Sequence, residues 1–349
     1  MIPALHATPD TTSRLASRPL GRSGLSVSSI GFGAAPIGDL YAHLDDAEAI
    51  ATVRAAHDAG ITLFDTAPLY GHGLAEQRCG AALRGLPRNS FILSTKVGRW
   101  MDPARPRGDG SGYFGGLQQG AVIDYSYDGT MRAIEQSLLR LGLDHIDILL
   151  IHDVDIWTHG ADAIDQRFRE AMEGSYRALD GLRQSGTIRA IGIGVNEAEM
   201  CERFARAGDF DTMMLAGRYS LLEQPALASF LPLAQRKGIG VMLGGVFNSG
   251  ILATGPRPDA RYNYAPAPPA ILNKVSRIST ICTTHGVALA AAALQFAQAH
   301  PAVSSVVLGA TSPLEVKRNL AAVLQPIPAA LWDDLRNEGL LDPAAPVPA

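Results

Sequence analysis

The chain holds 349 residues with a formal net charge of −4, so it offers no basic field to a phosphate backbone or an anionic lipid surface, and no block of like charge marks a binding tail. Nucleic acid and membranes are thereby set aside as partners. Cys79, Cys201 and Cys282 lie far apart, with no CxxC pair and no short Cys/His ligand spacing; they are expected to be reduced thiols of a cytoplasmic protein, and no metal is called for.

Residues 1–17 lack a charged segment followed by an apolar one, and no later apolar run is long enough to cross a bilayer. They are expected to form a flexible leader. The length suits two ordinary domains or one large barrel. Next in order, Arg18 to Val27 reads as a small hairpin plugging a barrel floor. Eight short, β-branched, nearly unbroken apolar runs follow: Ser29 to Phe32, Ile61 to Phe64, Phe91 to Thr95, Ile146 to Ile151, Ile188 to Val195, Thr212 to Leu215, Ile239 to Leu243 and Ser304 to Leu308. Runs without alternation suit strands buried on both faces of a parallel sheet.

The segments between them carry the helical period. Met131, Ile134, Leu138 and Leu141 share one face, and Gly142 follows where a helix end favours positive φ. Ser312, Pro313 and Glu315 form a capping box with proline at the first helical position, so a helix starts there. Glycines at 60, 186, 238 and 286 are read as helix-to-strand joints. Eight βα units account for 18–325 as one (β/α)8 TIM barrel, an α/β fold with an N-terminal hairpin cap, and 326–349 remains as a C-terminal extension. The proline-rich end from Asp342 is expected to be unstructured. An open doubly wound sheet competes, but its dinucleotide loop is not present: GFGAAPIG at 31–38 lacks the third glycine of GxGxxG and contains Pro36. Three long connections, Arg99 to Asp128, Asp153 to Asp165 and Gly244 to Ala270, are expected over the active mouth.

Polar residues at the carboxyl ends of strands then carry the chemistry. Asp65 and Tyr70 follow the second run, Lys96 the third and His152 the fourth, and a closed barrel brings those ends to one mouth. A phenol with an ordinary pKa of about 10 is a poor base at neutral pH unless a cation favours phenolate. Lys96 can supply that cation, Asp65 can balance the buried ammonium, and His152 can orient a reacting oxygen. Taken singly, Lys96 and Asp65 also fit a structural ion pair, Tyr70 a loop-packing phenol and His152 a satisfied buried imidazole. Jointly they suit proton movement at an oxygen while hydride moves at its carbon, with a nicotinamide as hydride partner.

The segments FDTAPLYGHGLAE at 64–76, STKVGR at 94–99, SLLRLGLDHID at 137–147 and GLRQSGTIRAIGIG at 181–194 together resemble the aldo-keto reductase superfamily over roughly 18–325. The resemblance implies a catalytic tetrad of Asp65, Tyr70, Lys96 and His152, with Tyr70 as general acid/base. GFGAAPIGDLY at 31–41, IHDVD at 151–155 and GVFNSGIL at 245–252 are similar to the branch of aldose 1-dehydrogenases, L-fucose and L-galactose dehydrogenases among them, and of pyridoxal 4-dehydrogenase. That branch implies oxidation of a cyclic hemiacetal to a lactone. Pyridoxal oxidation to 4-pyridoxolactone, aldehyde reduction, and a non-catalytic nicotinamide-binding regulatory subunit are the other readings.

For the cofactor, the resemblance points to Gly33, to Asn196 at the nicotinamide carboxamide, and to Tyr219 and Ser220 after strand six. Gly309, Thr311, Ser312, Glu315, Arg318 and Asn319 match the segment that meets the adenosine end, where a helix N-terminus suits phosphate. Two positions depart from the pattern: Ala216 replaces a common glutamine, and Gly244 a common stacking aromatic. Thr311 and Glu315 stand where NADP-dependent relatives place cations, which favours NAD, although Lys317 and Arg318 are near enough to turn towards a phosphate. Asp39, Tyr41, Trp100, Trp157 and Phe247 lie on loops expected at the mouth and are read as substrate contacts, for a sugar or a pyridoxal-like molecule.

Overall fold

A computed structural model describes residues 15–40, 42–108 and 112–348. Each of the eight apolar runs overlaps one strand: Ile30–Gly33 (β1), Leu63–Asp65 (β2), Ile92–Val97 (β3), Ile148–His152 (β4), Ala190–Val195 (β5), Thr212–Ala216 (β6), Gly240–Gly244 (β7) and Val303–Gly309 (β8). Among the described residues these eight pair in parallel and close a barrel in simple chain order, with β8 beside β1. Side chains on both faces of each strand are buried because the outer face meets helices and the inner face fills the barrel, which is why no polar alternation interrupts the sequence.

The helices are Asp46–Asp58 (α1), Leu74–Leu83 (α2), Tyr127–Leu141 (α3), Ile164–Glu170 (α4), Arg177–Gln184 (α5), Ala198–Ala207 (α6), Phe230–Lys237 (α7), Pro269–Thr284 (α8), Leu289–Ala299 (α9), Pro313–Leu324 (α10) and Ala329–Asn337 (α11). In α3 the Ser126 hydroxyl accepts from Gly129 N at 3.0 Å, Ile134 and Leu141 are buried, and the helix stops at left-handed Gly142. At α10 the Ser312 hydroxyl accepts from Glu315 N at 3.2 Å, as the capping pattern predicts. Gly60, Gly186 and Gly238 precede β2, β5 and β7, whereas Gly286 joins α8 to α9, a helix-to-helix corner rather than the expected entry to a strand. No single helix among the described residues is long and apolar enough to cross a membrane. All three thiols are free and buried.

The N-terminal hairpin pairs Ser17–Pro19 with Ser26–Ser28 and caps the floor. Leu20, Leu25 and Val27 meet Leu63, Ile148, Leu150, Met214 and Met242 inside the barrel. Each such buried leucine is worth about 1.5–3 kcal/mol of transfer free energy. The same hairpin stitches the β8–β1 seam: the Arg18 guanidinium donates to the carbonyls of Gln298 (2.7 Å) and Val303 (3.0 Å), and the Ser304 hydroxyl donates to Pro19 O (2.8 Å). The Gln298 amide crosses to Ser29 O at 3.2 Å.

Both ends of the chain are more built than the sequence suggested. Leu15 packs on the core and Ser29 N donates to Ala16 O at 2.7 Å, while residues 1–14 of the expected leader lie outside the described residues. Beyond α11, Leu340 and Leu341 are buried, and within the end expected to be unstructured Ala345 is buried and its carbonyl accepts from Arg336 at 3.0 Å, while residues 342–344 are exposed.

Candidate active site

The mouth at the carboxyl ends of the strands is roofed by the three long connections. The first folds into a hairpin, Arg99–Asp102 with Gly120–Ile123, the second holds a helical turn at Ile156–His159, and the third holds Ile251–Thr254 and a small ribbon, Arg261–Tyr262 with Ala265–Pro266. Beneath them is a cavity of about 850 Å³ with Tyr70, Lys96, Arg99, His152, Asp153 and Asn196 in its walls. A groove of about 320 Å³ shares Tyr70 and Asn196 with it and runs to Gly309 at the approach to α10.

The structure brings Asp65, Tyr70, Lys96 and His152 together. Lys96 Nζ donates to Asp65 Oδ2 at 2.6 Å and to Thr66 O at 2.8 Å, and the Ser94 hydroxyl donates to Asp65 Oδ1 at 2.8 Å. The ammonium lies 4.7 Å from the centroid of the Tyr70 ring, and the His152 ring meets Tyr70 edge-on at 6.0 Å. Strand pairing of β2 with β3 and β3 with β4 fixes three of these residues directly. Tyr70 instead depends on the turn Tyr70–Gly73, which presses against Gly38: a Cβ at Gly38 would stand 2.8 Å from Tyr70 C and 2.9 Å from Gly71 N.

Burial dominates the electrostatics here. It raises the Asp65 carboxyl above its ordinary value against the pull of Lys96 and Ser94. It also pushes the Tyr70 phenol well above 10, and the negative charges of Asp65 and Asp153 push the same way. Of the nearby cations Arg99 opposes that rise, while the Lys96 ammonium is paired with Asp65 and the Thr66 carbonyl. His152 is held well below its ordinary range by burial and by the cations Lys96 and Arg99, so its imidazole is neutral.

Trp157 lines both the cavity and the groove, whereas Phe247 lines the groove alone. Asp39 lines neither. It is 1% exposed, its carboxylate pairs with Arg78 at 2.7 Å and accepts from Leu44 N at 3.1 Å, and so it braces its own loop. Trp100 is likewise turned away, its ring stacked 4.6 Å from the Arg132 guanidinium on α3. Tyr41 lies outside the described residues.

Of the residues expected at a cofactor, Gly33, Asn196 and Gly309 line the groove. Asn196 is fixed through both of its backbone groups, its N–H donating to Asp155 Oδ2 (3.1 Å) and its carbonyl accepting from Arg218 Nε (2.9 Å). Tyr219 instead points into the core and stacks on Phe296 at 5.2 Å. Ser220 is buried and donates to Asn248 Oδ1 at 2.6 Å, so it supports a groove residue rather than lining the groove. Past Gly309, the Glu315 carboxylate accepts from Thr311 N (2.7 Å) and its hydroxyl (3.0 Å), Asn319 reaches Gly309 O at 3.5 Å, and Arg318 is exposed.

The groove fits a nicotinamide dinucleotide. Its floor is bare at Gly244, where an added Cβ would find its nearest neighbour, Ala216, only at 3.8 Å, and its far end is lined by Leu308 and Gly309, three residues before the Ser312 cap of α10. Three wall residues had drawn no role from motif spacing: Arg99, Asp153 and Arg218. The first two stand within the quoted motifs, three residues after Lys96 and one after His152.

Residues 29–337 match the aldo/keto reductase family. A pyridoxal 4-dehydrogenase from Microbacterium luteolum is 43% identical over 335 residues, which cover 93% of this chain and 97% of that one. A D-threo-aldose 1-dehydrogenase from a Pseudomonas species is 40% identical over 327 residues, 91% and 96% of the two chains. The solved holo form of an aldo-keto reductase from Bacillus halodurans superposes with a TM-score of 0.72 at 28% identity, covering 95% of this chain and 98% of that one. With the likeness running from the first barrel strand through the last, this chain belongs to the aldo/keto reductase family and is an NAD(P)-dependent oxidoreductase.

Proposed function

We propose that the enzyme oxidises the anomeric carbon of a cyclic aldose hemiacetal, giving a lactone. The observation that carries this reading is the convergence of Tyr70 and His152 over one cavity, with the buried Lys96–Asp65 pair behind them; the relative named for aldose 1-oxidation supports it. A bound nicotinamide supplies the hydride acceptor. The Tyr70 phenolic oxygen exchanges the proton of the reacting hydroxyl: it holds that proton in the reducing direction and takes it, as phenolate, in the oxidising one. Neutral His152 hydrogen-bonds the same oxygen and sets its angle. Asn196 and the Gly244 floor hold the ring of the dinucleotide, and the Gly309 end holds its phosphates.

NAD is the proposed coenzyme in preference to NADP. Glu315 puts a carboxylate in the first turn of α10, beside the groove's far end, where it repels a 2′-phosphate and suits a ribose hydroxyl. Glu315→Gln is expected to raise kcat/KM for NADP+ relative to NAD+, and an unchanged ratio would remove Glu315 from the argument.

A second reading, oxidation of pyridoxal, is favoured by the named relative at 43% identity and by the aromatic wall of Tyr113, Phe114, Trp157 and Tyr264, which suits a flat ring. Initial rates of NAD+ and NADP+ reduction across D- and L-aldoses and pyridoxal separate the two. Sugar-dependent reduction that disappears in Tyr70→Phe supports the lactone-forming enzyme. Oxidation of pyridoxal alone replaces it with the second reading.

A further inference from the structure

Beside the proposed reaction centre stands an ion pair to which the steps above give no task. Asp153 follows His152 directly and takes φ 53°, a left-handed conformation that side chains other than Gly, Asn and Asp rarely adopt. Its backbone is gripped on both sides: its N–H donates to Gly194 O at 2.9 Å, and its carbonyl accepts from the Tyr125 hydroxyl at 3.2 Å. That turn brings Oδ2 to Arg99 Nη1 at 2.8 Å and Oδ1 to within 3.3 Å of His152 Nε2. Both residues are in the wall of the 850 Å³ cavity, and Arg99 is itself only 6% exposed. A buried guanidinium so placed fixes the carboxylate, with one oxygen committed to Arg99 and the other beside the imidazole.

The spacing has a chemical meaning. If the reacting oxygen lies against His152 Nε2, the oxygen on the neighbouring sugar carbon is about one hydrogen-bond length away, which is the distance from Nε2 to Asp153 Oδ1. We infer that Asp153, held by Arg99, is a specificity-determining residue that accepts a hydrogen bond from the hydroxyl on the carbon next to the one oxidised, so that the substrate class is a 2-hydroxy aldose. The inference rests on the proposed aldose reading. A carboxylate at this point accepts but does not donate, so it welcomes a hydroxyl and repels an ionised phenolic oxygen such as that of pyridoxal.

The test compares the aldose that the native enzyme oxidises fastest in that panel with the 2-deoxy form of the same sugar, in the native enzyme and in Asp153→Asn. Asparagine is chosen because it tolerates the left-handed backbone. The native enzyme is expected to prefer the 2-hydroxy sugar by about 10- to 100-fold in kcat/KM, the scale of one hydrogen bond to a charged group. In Asp153→Asn that preference is expected to fall to within about three-fold, chiefly because the 2-hydroxy sugar suffers. Calorimetric titration of the two product lactones reads the same preference without turnover. Equal treatment of both sugars by the native enzyme overturns the inference while leaving the proposed function standing, and needs no variant to fold. An equal loss on both sugars in Asp153→Asn also overturns it, assigning the residue to His152 alone. No oxidation of any aldose in the panel removes the proposed function and this inference with it.

Discussion

Lys96 Nζ lies 2.6 Å from Asp65 Oδ2, and neither side chain is more than 2% exposed. Removing one partner of such a pair leaves a buried charge without compensation, at a cost of about 3–5 kcal/mol. In Lys96→Met the Asp65 carboxyl loses the cation that opposes burial, so its folded pKa rises further above the unfolded value of about 3.9. The destabilisation is therefore expected to grow as pH rises above about 4 and to shrink towards that pH, where the carboxyl takes a proton in both states. Urea unfolding at pH 5 and pH 8 checks this. A double Lys96→Met, Asp65→Leu protein is expected to recover most of the stability without recovering activity.

The Tyr70 phenol, pushed up by burial and by Asp65 and Asp153, keeps its proton at neutral pH. Oxidation needs the deprotonated form and reduction the protonated one. The oxidation rate is accordingly expected to climb with pH through 9 and beyond, while reduction stays flat over the same range. Tyr70→Phe is expected to lower kcat by about 10²- to 10⁴-fold in both directions, with dinucleotide binding, followed by fluorescence titration, retained. A pH-independent oxidation rate in the native enzyme would assign the proton to another group.

Gly38 touches the peptide that leads out of Tyr70, and an added methyl would stand inside van der Waals contact with three backbone atoms. Backbone cannot yield as a flexible side chain can. Gly38→Ala is expected to cost about 1–3 kcal/mol of stability and, by displacing the phenol, to lower kcat by about 100-fold. Thermal unfolding and steady-state kinetics measured together decide it: normal kcat in a destabilised protein would show that the contact supports the fold and not the site.

His300 is buried beside Tyr219, its Nδ1 accepting from Ala302 N at 3.1 Å, and burial lowers its pKa to about 4. The unfolded imidazole titrates near about 6.5. Between those values the unfolded chain binds more protons, so the stability tied to this neutral ring is fully present above about 6.5 and is lost as pH falls towards 4. His72, His152 and His159 are lowered too, and add to the same decline. His300→Gln, which keeps an acceptor and removes the titration, is expected to shallow the fall of the urea midpoint across that window.

The barrel was legible in the sequence because strands buried on both faces show no regular polar alternation, so a run such as Ile146 to Ile151, with Asp147 its one charged residue, announces itself. Asp65, Lys96 and His152 were legible because β2, β3 and β4 carry them to one rim by pairing alone. Asp39 and Trp100 were misread since loop position says nothing of side-chain direction: Arg78 on α2 claims the first, and Arg132 on α3 covers the second. Tyr219 followed the right strand but turned inward to Phe296. Asp153 escaped notice because its task depends on a positive φ and on Arg99, neither of which spacing encodes.

Every neighbouring pair of barrel strands is consecutive in the chain except one. The seam between β8 and β1, stitched by Arg18, Gln298 and Ser304, joins segments at nearly opposite ends of the sequence. Seven zippers can therefore close locally as the chain collapses, whereas the eighth must wait for a loop that is almost the whole protein, with the entropy of that closure still opposing it. The ring is thus completed at a single weld, and hydrogen exchange at Val306 and Ile30 is where the slowest step of folding will be heard.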